Sequence, residues 1–356
     1  MAEGFYLPDQ SIGGTRIGKI FVSNTVIGMG SGGSRVFEGL YDDGTPVAVK
    51  RVVHDQFNLA YWCPQLIHPN IVRYWAAEYD EDFMYFPLER CTCSLYDLIL
   101  ALSAPSDSSD LSVSPDDSPS MVMYKSKLRY VRDTMQDVKL WMVGGRPSPL
   151  LLKLMREVVS GLGYLHGLEI LHQDIKPQNI LITGKPLVAK LSDMGSYTNS
   201  GTPGWQAREV LLPGCFPTPA IDMFSFGCVL FFCVTGGKHP FGRLRESNIL
   251  NNAMDLSSVS SIPEAHDLIS DLLNPDPILR PKASEVLQHP FLMNSETRLS
   301  FFSGFRDRAV AIAHSMDAPK LAKEIGRFPA LLMESCKVVS RFCKKDVLRK
   351  HLKLFK

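Results

Sequence analysis

The sequence predicts an α+β chain in two lobes, a small strand-rich one followed by a larger helical one. Three observations predict it. Short β-branched and aromatic runs fill the stretch up to Val53, apolar stripes at helical spacing dominate from Pro149 onward, and an acidic, serine-rich stretch lies between. The composition permits such a body: of 356 residues 45% are apolar and 21% charged, enough for a sizeable core.

The strands come first. Ile17 to Val26, Ser34 to Leu40 and Pro46 to Val53 read as strands, and Asp43-Gly44 supplies a hairpin turn between the last two. Ser103 to Ser120 holds eight Ser, three Pro, four Asp and no basic residue. That composition cannot repay the entropy of ordering, and the expectation is a largely disordered insert over 103–148. The next element, Pro149 to Leu165, sets Leu150, Leu151, Leu154, Val158, Leu162 and Leu165 on one helical face. Met223 to Val234 is apolar but interrupted by Ser225 and Gly227. A membrane span needs about 20 apolar residues, so this run reads as a buried helix and no span is expected. Ala265 to Leu273 is helical in character as well.

Charge is unevenly placed. Lys+Arg number 38 and Asp+Glu 37, a net charge of +1, which excludes a uniformly basic nucleic-acid coat. The last 21 residues carry eight Lys/Arg against Asp346 alone, so a body of −6 is offset by a tail of +7. Val338, Val339, Phe342, Val347, Leu348, Leu352 and Phe355 give that tail helical spacing. It reads as a packed amphipathic helix with a solvated basic face, or else as a surface for RNA or an acidic partner. The eight cysteines are scattered without a C-x-x-C pair, as expected of reduced, buried thiols in a cytosolic or nuclear protein.

The chemistry lies in four motifs. Gly28-Met-Gly30-Ser-Gly32-Gly33 leads to Val36, and glycines at this spacing let backbone approach a polyphosphate. Taken alone the pattern is weak, but a strand rather than a helix follows it, which disfavours dinucleotide binding. Val47-Ala48-Val-Lys50 places a lysine fourteen residues past Val36. His172-Gln-Asp174-Ile-Lys176-Pro-Gln-Asn179 and Ser192-Asp193-Met-Gly195 follow. Phosphoryl transfer needs a carboxylate to orient the attacking hydroxyl, a cation near the transferred group and two metal ligands. Asp174, Lys176, Asn179 and Asp193 are of those types, in that order.

With these motifs the chain resembles a eukaryotic protein kinase. The resemblance implies a bilobal kinase fold, ATP or ADP with Mg2+ as cofactors, Asp174 and Lys176 as catalytic residues, and Asn179 and Asp193 as metal ligands. It also implies nucleotide contacts from Gly28, Gly30, Gly33, Val36, Ala48, Lys50, Glu89, Cys91 and Leu181. Gly204-Trp-Gln-Ala-Arg-Glu209, Asp222-Met-Phe-Ser-Phe-Gly227 and Arg280 match structural positions of kinases. Further segments narrow the match: Ile17 to Asn24, Leu88 to Leu95, Gly227 to Gly242 and His289 to Phe301. They resemble the inositol-requiring enzymes, especially plant-type members, stress sensors of the endoplasmic reticulum that join a kinase to an endoribonuclease. On this reading the chain is a shortened member lacking lumenal and membrane segments. It divides into a tail at 1–19, a kinase domain at 20–295 and a shortened, nuclease-like helical segment at 296–356.

Departures from that family shape the functional expectation. Between Lys50 and His68 there is no Glu to pair with the lysine, and Pro64 interrupts a helix there. Gln173 replaces the Arg that grips a phosphorylated loop, and the segment from Asp193 to Gly204 is short, with Ser196, Tyr197, Thr198, Ser200 and Thr202 as its only acceptors. The 26 residues between Phe301 and Phe328 contain one histidine, His314, and no Tyr, too little for general acid–base cleavage of RNA. The expected protein is kinase-like, impaired or inactive in phosphotransfer and without endoribonuclease activity. The alternatives are an active serine/threonine kinase and an RNA-binding protein using the basic C-terminus. Expected partners are a nucleotide and a second copy or a full-length stress-sensor kinase, with no DNA, no RNA on the favoured reading and no membrane span. The expected location is cytoplasmic or peripheral to the endoplasmic reticulum.

Overall fold

The computed structural model of the chain describes residues 13–30, 33–53, 66–103, 114, 116–194, 201–214 and 216–293. A six-stranded antiparallel sheet forms from β1 (Gly14–Ile17), β2 (Ile20–Met29), β3 (Arg35–Tyr41), β4 (Pro46–Val53), β5 (Glu78–Tyr79) and β6 (Phe83–Glu89). Their spatial order is β1-β2-β3-β4-β6-β5. The three expected strands are β2, β3 and β4. Gly44 turns between the last two at φ 80°, a left-handed conformation that suits glycine. The stretch assigned to an N-terminal tail is corrected: β1 lies within it, Gly14 to Ile17 pairing with Ser23 to Ile20. No side chain of β1 is buried, so main-chain pairing holds it and no apolar pattern marks it.

Alternation along the strands separates two apolar layers. Ile20, Val22, Phe37, Val47, Val49 and Tyr85 pack on one face. Val52, Val72, Met84, Phe86 and Leu88 pack together in a second cluster, joined by Ala48, Cys91 and Leu181. The second layer joins the lobes.

The larger lobe starts with β7 (Cys93–Ser94), α1 (Leu95–Ser103), α2 (Pro119–Thr134) and α3 (Pro149–Gly167). A second sheet, ordered β7-β8-β9, adds β8 (Ile180–Thr183) and β9 (Val188–Leu191). Helices α4 (Pro219–Val234), α5 (Arg245–Leu250), α6 (Pro263–Leu272) and α7 (Ala283–Leu287) complete it. Helix α3 begins where Ser148 accepts from the Leu151 amide with Pro149 in the first turn, a strong start signal. Helix α4 is buried from Ile221 to Val234, as its all-round apolar sequence requires.

The expectation of a largely disordered insert over 103–148 is corrected at α2. Ser118 caps that helix and Pro119 follows at its first turn. Leu128, Val131 and Met135 enter the main core, Lys127 pairs with Asp97 at 2.8 Å, and Arg132 Nε donates to the Ala101 carbonyl at 2.9 Å. These contacts tie α2 to α1. The helix became visible to packing rather than to composition, because its apolar residues are few but share one side. Residues 104–113 lie outside the described residues. So do the Glu-free stretch with Pro64 at 54–65, the loop at 195–200 and all of 296–356.

Helices α4 and α6 meet at Gly227, where an added Cβ would lie 2.9 Å from Leu272 Cβ and 3.0 Å from Leu273 Cδ2. Gly227→Val is expected to cost about 1–3 kcal/mol by overpacking, read as a lower urea midpoint at unchanged m-value. Among the described residues no helix is long and apolar enough to cross a membrane.

Candidate active site

Lys50 sits in the middle of β4 between Val36 of β3 and Phe86 of β6. Its Nζ reaches across to Asp193 Oδ1 at 2.8 Å, an ion pair whose side chains are 10% and 14% exposed. Burial pushes the Asp193 carboxyl up, but Lys50 beside it, with His172 and Lys176 near, holds it below the usual carboxylate range. Asp193 itself adopts φ 58°, uncommon for a residue with a side chain.

Above the lysine, Gly28 pairs with Val36, and the Gly30 amide donates to the Ser34 carbonyl at 2.7 Å. A Cβ on Gly30 would run into Ser34 Oγ and come within 3.2 Å of Lys50 Cε. Glycine is therefore required where the backbone crosses the lysine. Gly33 takes φ 78° with open space around it.

The segment from His172 to Asn179 is strapped down from below by the buried Asp222 of α4. The carboxylate of Asp222 accepts from the amides of His172 at 2.9 Å and Gln173 at 2.8 Å. It also meets His166 Nε2 at 2.9 Å. That anchor holds Gln173 at φ 66° and delivers Asp174 upward. Asn179 Nδ2 donates to Asp174 Oδ2 at 2.8 Å and to its carbonyl at 2.9 Å. Lys176 Nζ donates to Asp174 Oδ2 at 2.8 Å, and the Thr202 hydroxyl donates to Asp174 Oδ1 at 2.6 Å. The Ser192 amide donates to the Asn179 carbonyl at 2.9 Å, binding this segment to the one that carries Asp193.

The remaining candidate residues surround an apolar wall at the lobe junction. Ala48 of β4, Leu181 of β8 and Cys91 of the link between β6 and β7 belong to one cluster. Burial pushes the Cys91 thiol up to about 12, so it stands as a neutral apolar group. The structure thus ties Lys176 and Asn179 to Asp174, pairs Lys50 with Asp193, joins the two segments through the Ser192 amide, and sets Ala48, Cys91 and Leu181 together beside them. Glu89 differs: its carboxylate turns to Lys190 at 3.0 Å and to the Arg73 amide. Thr202, read from sequence as a phosphate acceptor, is instead engaged with Asp174.

Comparisons with known proteins bear on the fold. The protein kinase domain family matches residues 120–292. Serine/threonine-protein kinase/endoribonuclease IRE1a of Arabidopsis thaliana is 48% identical over 317 residues, covering 83% of this chain and 37% of that protein. An inactive serine/threonine-protein kinase/endoribonuclease IRE1-like protein of the same plant is 38% identical over 325 residues, covering 82% of this chain and 55% of that protein. Over most of its own length the chain is similar to the inositol-requiring enzymes. It spans 33% to 37% of the length of the Arabidopsis IRE1a and IRE1b and the Oryza sativa IRE1. The crystal structure of Rad53 1-466 in complex with AMP-PNP shares the fold, with a TM-score of 0.57 at 23% identity over 77% of this chain and 66% of that one. The bilobal kinase fold expected from the motifs is the fold observed.

The donor set suits a nucleotide with Mg2+. Asn179 and Asp193 offer hard oxygen ligands of the kind Mg2+ takes. The bare Gly30 backbone above Lys50 leaves room for phosphates, and the Ala48, Cys91 and Leu181 wall suits a flat base.

Proposed function

We propose that the chain is a nucleotide-binding, kinase-fold protein with impaired phosphotransfer and no endoribonuclease activity. The observation that carries the first part is the Lys50–Asp193 pair at 2.8 Å. The lysine meant for phosphates and the carboxylate meant for metal neutralise each other, while the sequence from Lys50 to His68 offers no Glu as a substitute partner. Nucleotide binding has to open or share that pair, and the missing Glu leaves Lys50 without a partner to orient it for turnover. A bound nucleotide would supply the transferable phosphoryl group, and Mg2+ would balance its charge. The chain's own residues then act in fixed roles. Lys50 steadies phosphates, the Ala48, Cys91 and Leu181 wall excludes water from the base, and Asp174 orients an acceptor hydroxyl in place of Thr202. The absence of nuclease activity is supported by the short stretch with His314 and no Tyr.

An active serine/threonine kinase is the second reading, favoured by the intact bonding of Asp174 to Asn179 and Lys176. Association with a second copy, or with a full-length relative of the family, is the partner reading. A cytoplasmic location, or one at the surface of the endoplasmic reticulum, is part of the same proposal.

One set of measurements tests it. ADP with Mg2+ at 100 times its Kd is expected to raise stability by about 2.7 kcal/mol, read as a higher melting midpoint. Incubation with labelled Mg-ATP and a generic protein substrate is expected to leave incorporation near background. Strong incorporation that Asp193→Asn abolishes would establish the active reading instead. Cleavage of a stem-loop RNA by the purified chain would refute the nuclease part.

A further inference from the structure

The link between β6 and β7 is three residues long, Arg90-Cys91-Thr92, and with Glu89 it forms the backbone beside the apolar wall. Something must fix that backbone against the larger lobe if a base is to be read there. Thr92 does so at one end, its amide donating to the Ile182 carbonyl at 2.8 Å. At the other end stands Glu89. Its amide donates to the Arg73 carbonyl at 2.9 Å, and its Oε2 accepts from the Arg73 amide at 3.2 Å. The same oxygen meets Lys190 Nζ at 3.0 Å, the two side chains being 26% and 13% exposed.

Lys190 lies opposite Leu181 in the β8–β9 register, and cross-strand partners share a sheet face. Leu181 therefore presents its side chain to the apolar wall while Lys190 rises beside it to Glu89. Cys91 is tied into the same corner, its Sγ 3.7 Å from the Glu89 carbonyl. Three residues after Lys190 the chain reaches Asp193, the partner of Lys50. One short strand thus holds both ends of the site, the charged end through Asp193 and the base end through Lys190.

We propose that Lys190 is a positioning residue for the nucleotide site: through Glu89 it fixes the Glu89–Cys91 backbone and sets how tightly an adenine base is held. This rests on the nucleotide reading above. Lys190 touches no base itself. Its effect is on affinity and base preference rather than on folding, since a partly exposed pair adds little to stability.

The test is titration calorimetry with ADP and with GDP on the wild-type chain, Lys190→Met and Lys190→Arg, alongside melting midpoints without nucleotide. Lys190→Met is expected to weaken ADP about fivefold, to narrow the preference for ADP over GDP, and to leave the nucleotide-free midpoint nearly unchanged. Lys190→Arg, which keeps the charge on Glu89, is expected to restore most of the ADP affinity. Wild-type binding of ADP with Lys190→Met unchanged would overturn the positioning role alone. A wild-type chain that binds no ADP would remove the nucleotide reading and this one with it. Equal weakening of ADP and GDP would also overturn the role, because a general loosening would then explain the loss.

Discussion

Glu209→Ala is expected to lower the unfolding free energy by about 3–5 kcal/mol, read from urea transitions. The cause is the charge left behind. Arg280 NH1 donates to Glu209 Oε1 at 2.5 Å and NH2 to Oε2 at 2.9 Å, a bidentate pair in which the arginine side chain is 0% exposed. Arg280 Nε also donates to the Asn274 carbonyl at 2.8 Å, and NH1 to the Ala220 carbonyl at 3.0 Å. Its guanidinium stacks 5.0 Å from the Phe224 ring centroid. With Glu209 removed, a desolvated cation faces only neutral carbonyls and a ring, and water has little access to it. Glu209→Gln keeps one acceptor and should lose less. The damage should reach the site as well, because Glu209 closes the segment that begins at Thr202 and bonds Asp174. A loss below about 1 kcal/mol would mean that the carbonyls and Phe224 alone satisfy the guanidinium.

The strands β2 to β4 and the helices α3, α4 and α6 were legible in the sequence because each buries a face, and burial writes a period into the residues. Strand β1 was not, because its stability lies in main-chain pairing. Helix α2 was not, because a serine-rich, acidic neighbourhood masked a stripe of only three core residues, Leu128, Val131 and Met135. The network of Lys50, Asp174, Lys176, Asn179 and Asp193 was legible because charged residues at fixed spacing reveal a shared chemistry. Its bonding was not. Nothing in the order of residues says that Lys50 will lie on Asp193, that Thr202 will occupy the Asp174 carboxylate, or that Glu89 will turn from the base toward Lys190. The Lys50–Asp193 pairing depends on how far apart the two lobes hold their strands, and that distance is set by packing at the junction rather than by any local pattern.

The departure at Lys50 and the pairing with Asp193 are two sides of one electrostatic fact. The site holds two cations and two carboxylates in two ion pairs, Lys50 with Asp193 and Lys176 with Asp174. Each buried charge is compensated, as burial demands. A site so balanced is stable when empty of ligand and gains less from ligand binding than one holding an uncompensated lysine.

Acid should destabilise this protein well before its carboxylates protonate. From pH 6.5 to pH 5, His239 alone is expected to remove about 2 kcal/mol of stability. Burial, and then Arg245 beside it, pushes the His239 imidazole down to about 3. Its Nδ1 accepts from the Phe241 amide at 3.3 Å, so a second proton would set donor against donor. The ring also stands edge-on to Trp205 at 4.8 Å, with Arg245 stacked 5.3 Å from that indole. Unfolded, the same histidine takes a proton near pH 6.5, so below that pH the unfolded chain binds protons that the folded chain refuses. Stability is therefore complete at neutral pH and declines as pH falls. His172 acts in the same direction, since burial lowers its affinity for a proton. Its Nε2 meets the Ser192 carbonyl at 2.9 Å and its Nδ1 accepts from the Asp174 amide at 3.4 Å, which leaves no place for a second proton. Asp193, held below the usual carboxylate range, adds its loss only at lower pH. Urea transitions at pH 7, 6 and 5 on the wild-type chain and His239→Gln read the effect. The variant should lose about 2 kcal/mol less than the wild type between pH 7 and 5. Identical pH slopes for the two would show that the folded protein protonates His239 as readily as the unfolded chain, and that burial beside Trp205 and Arg245 does not hold the ring neutral.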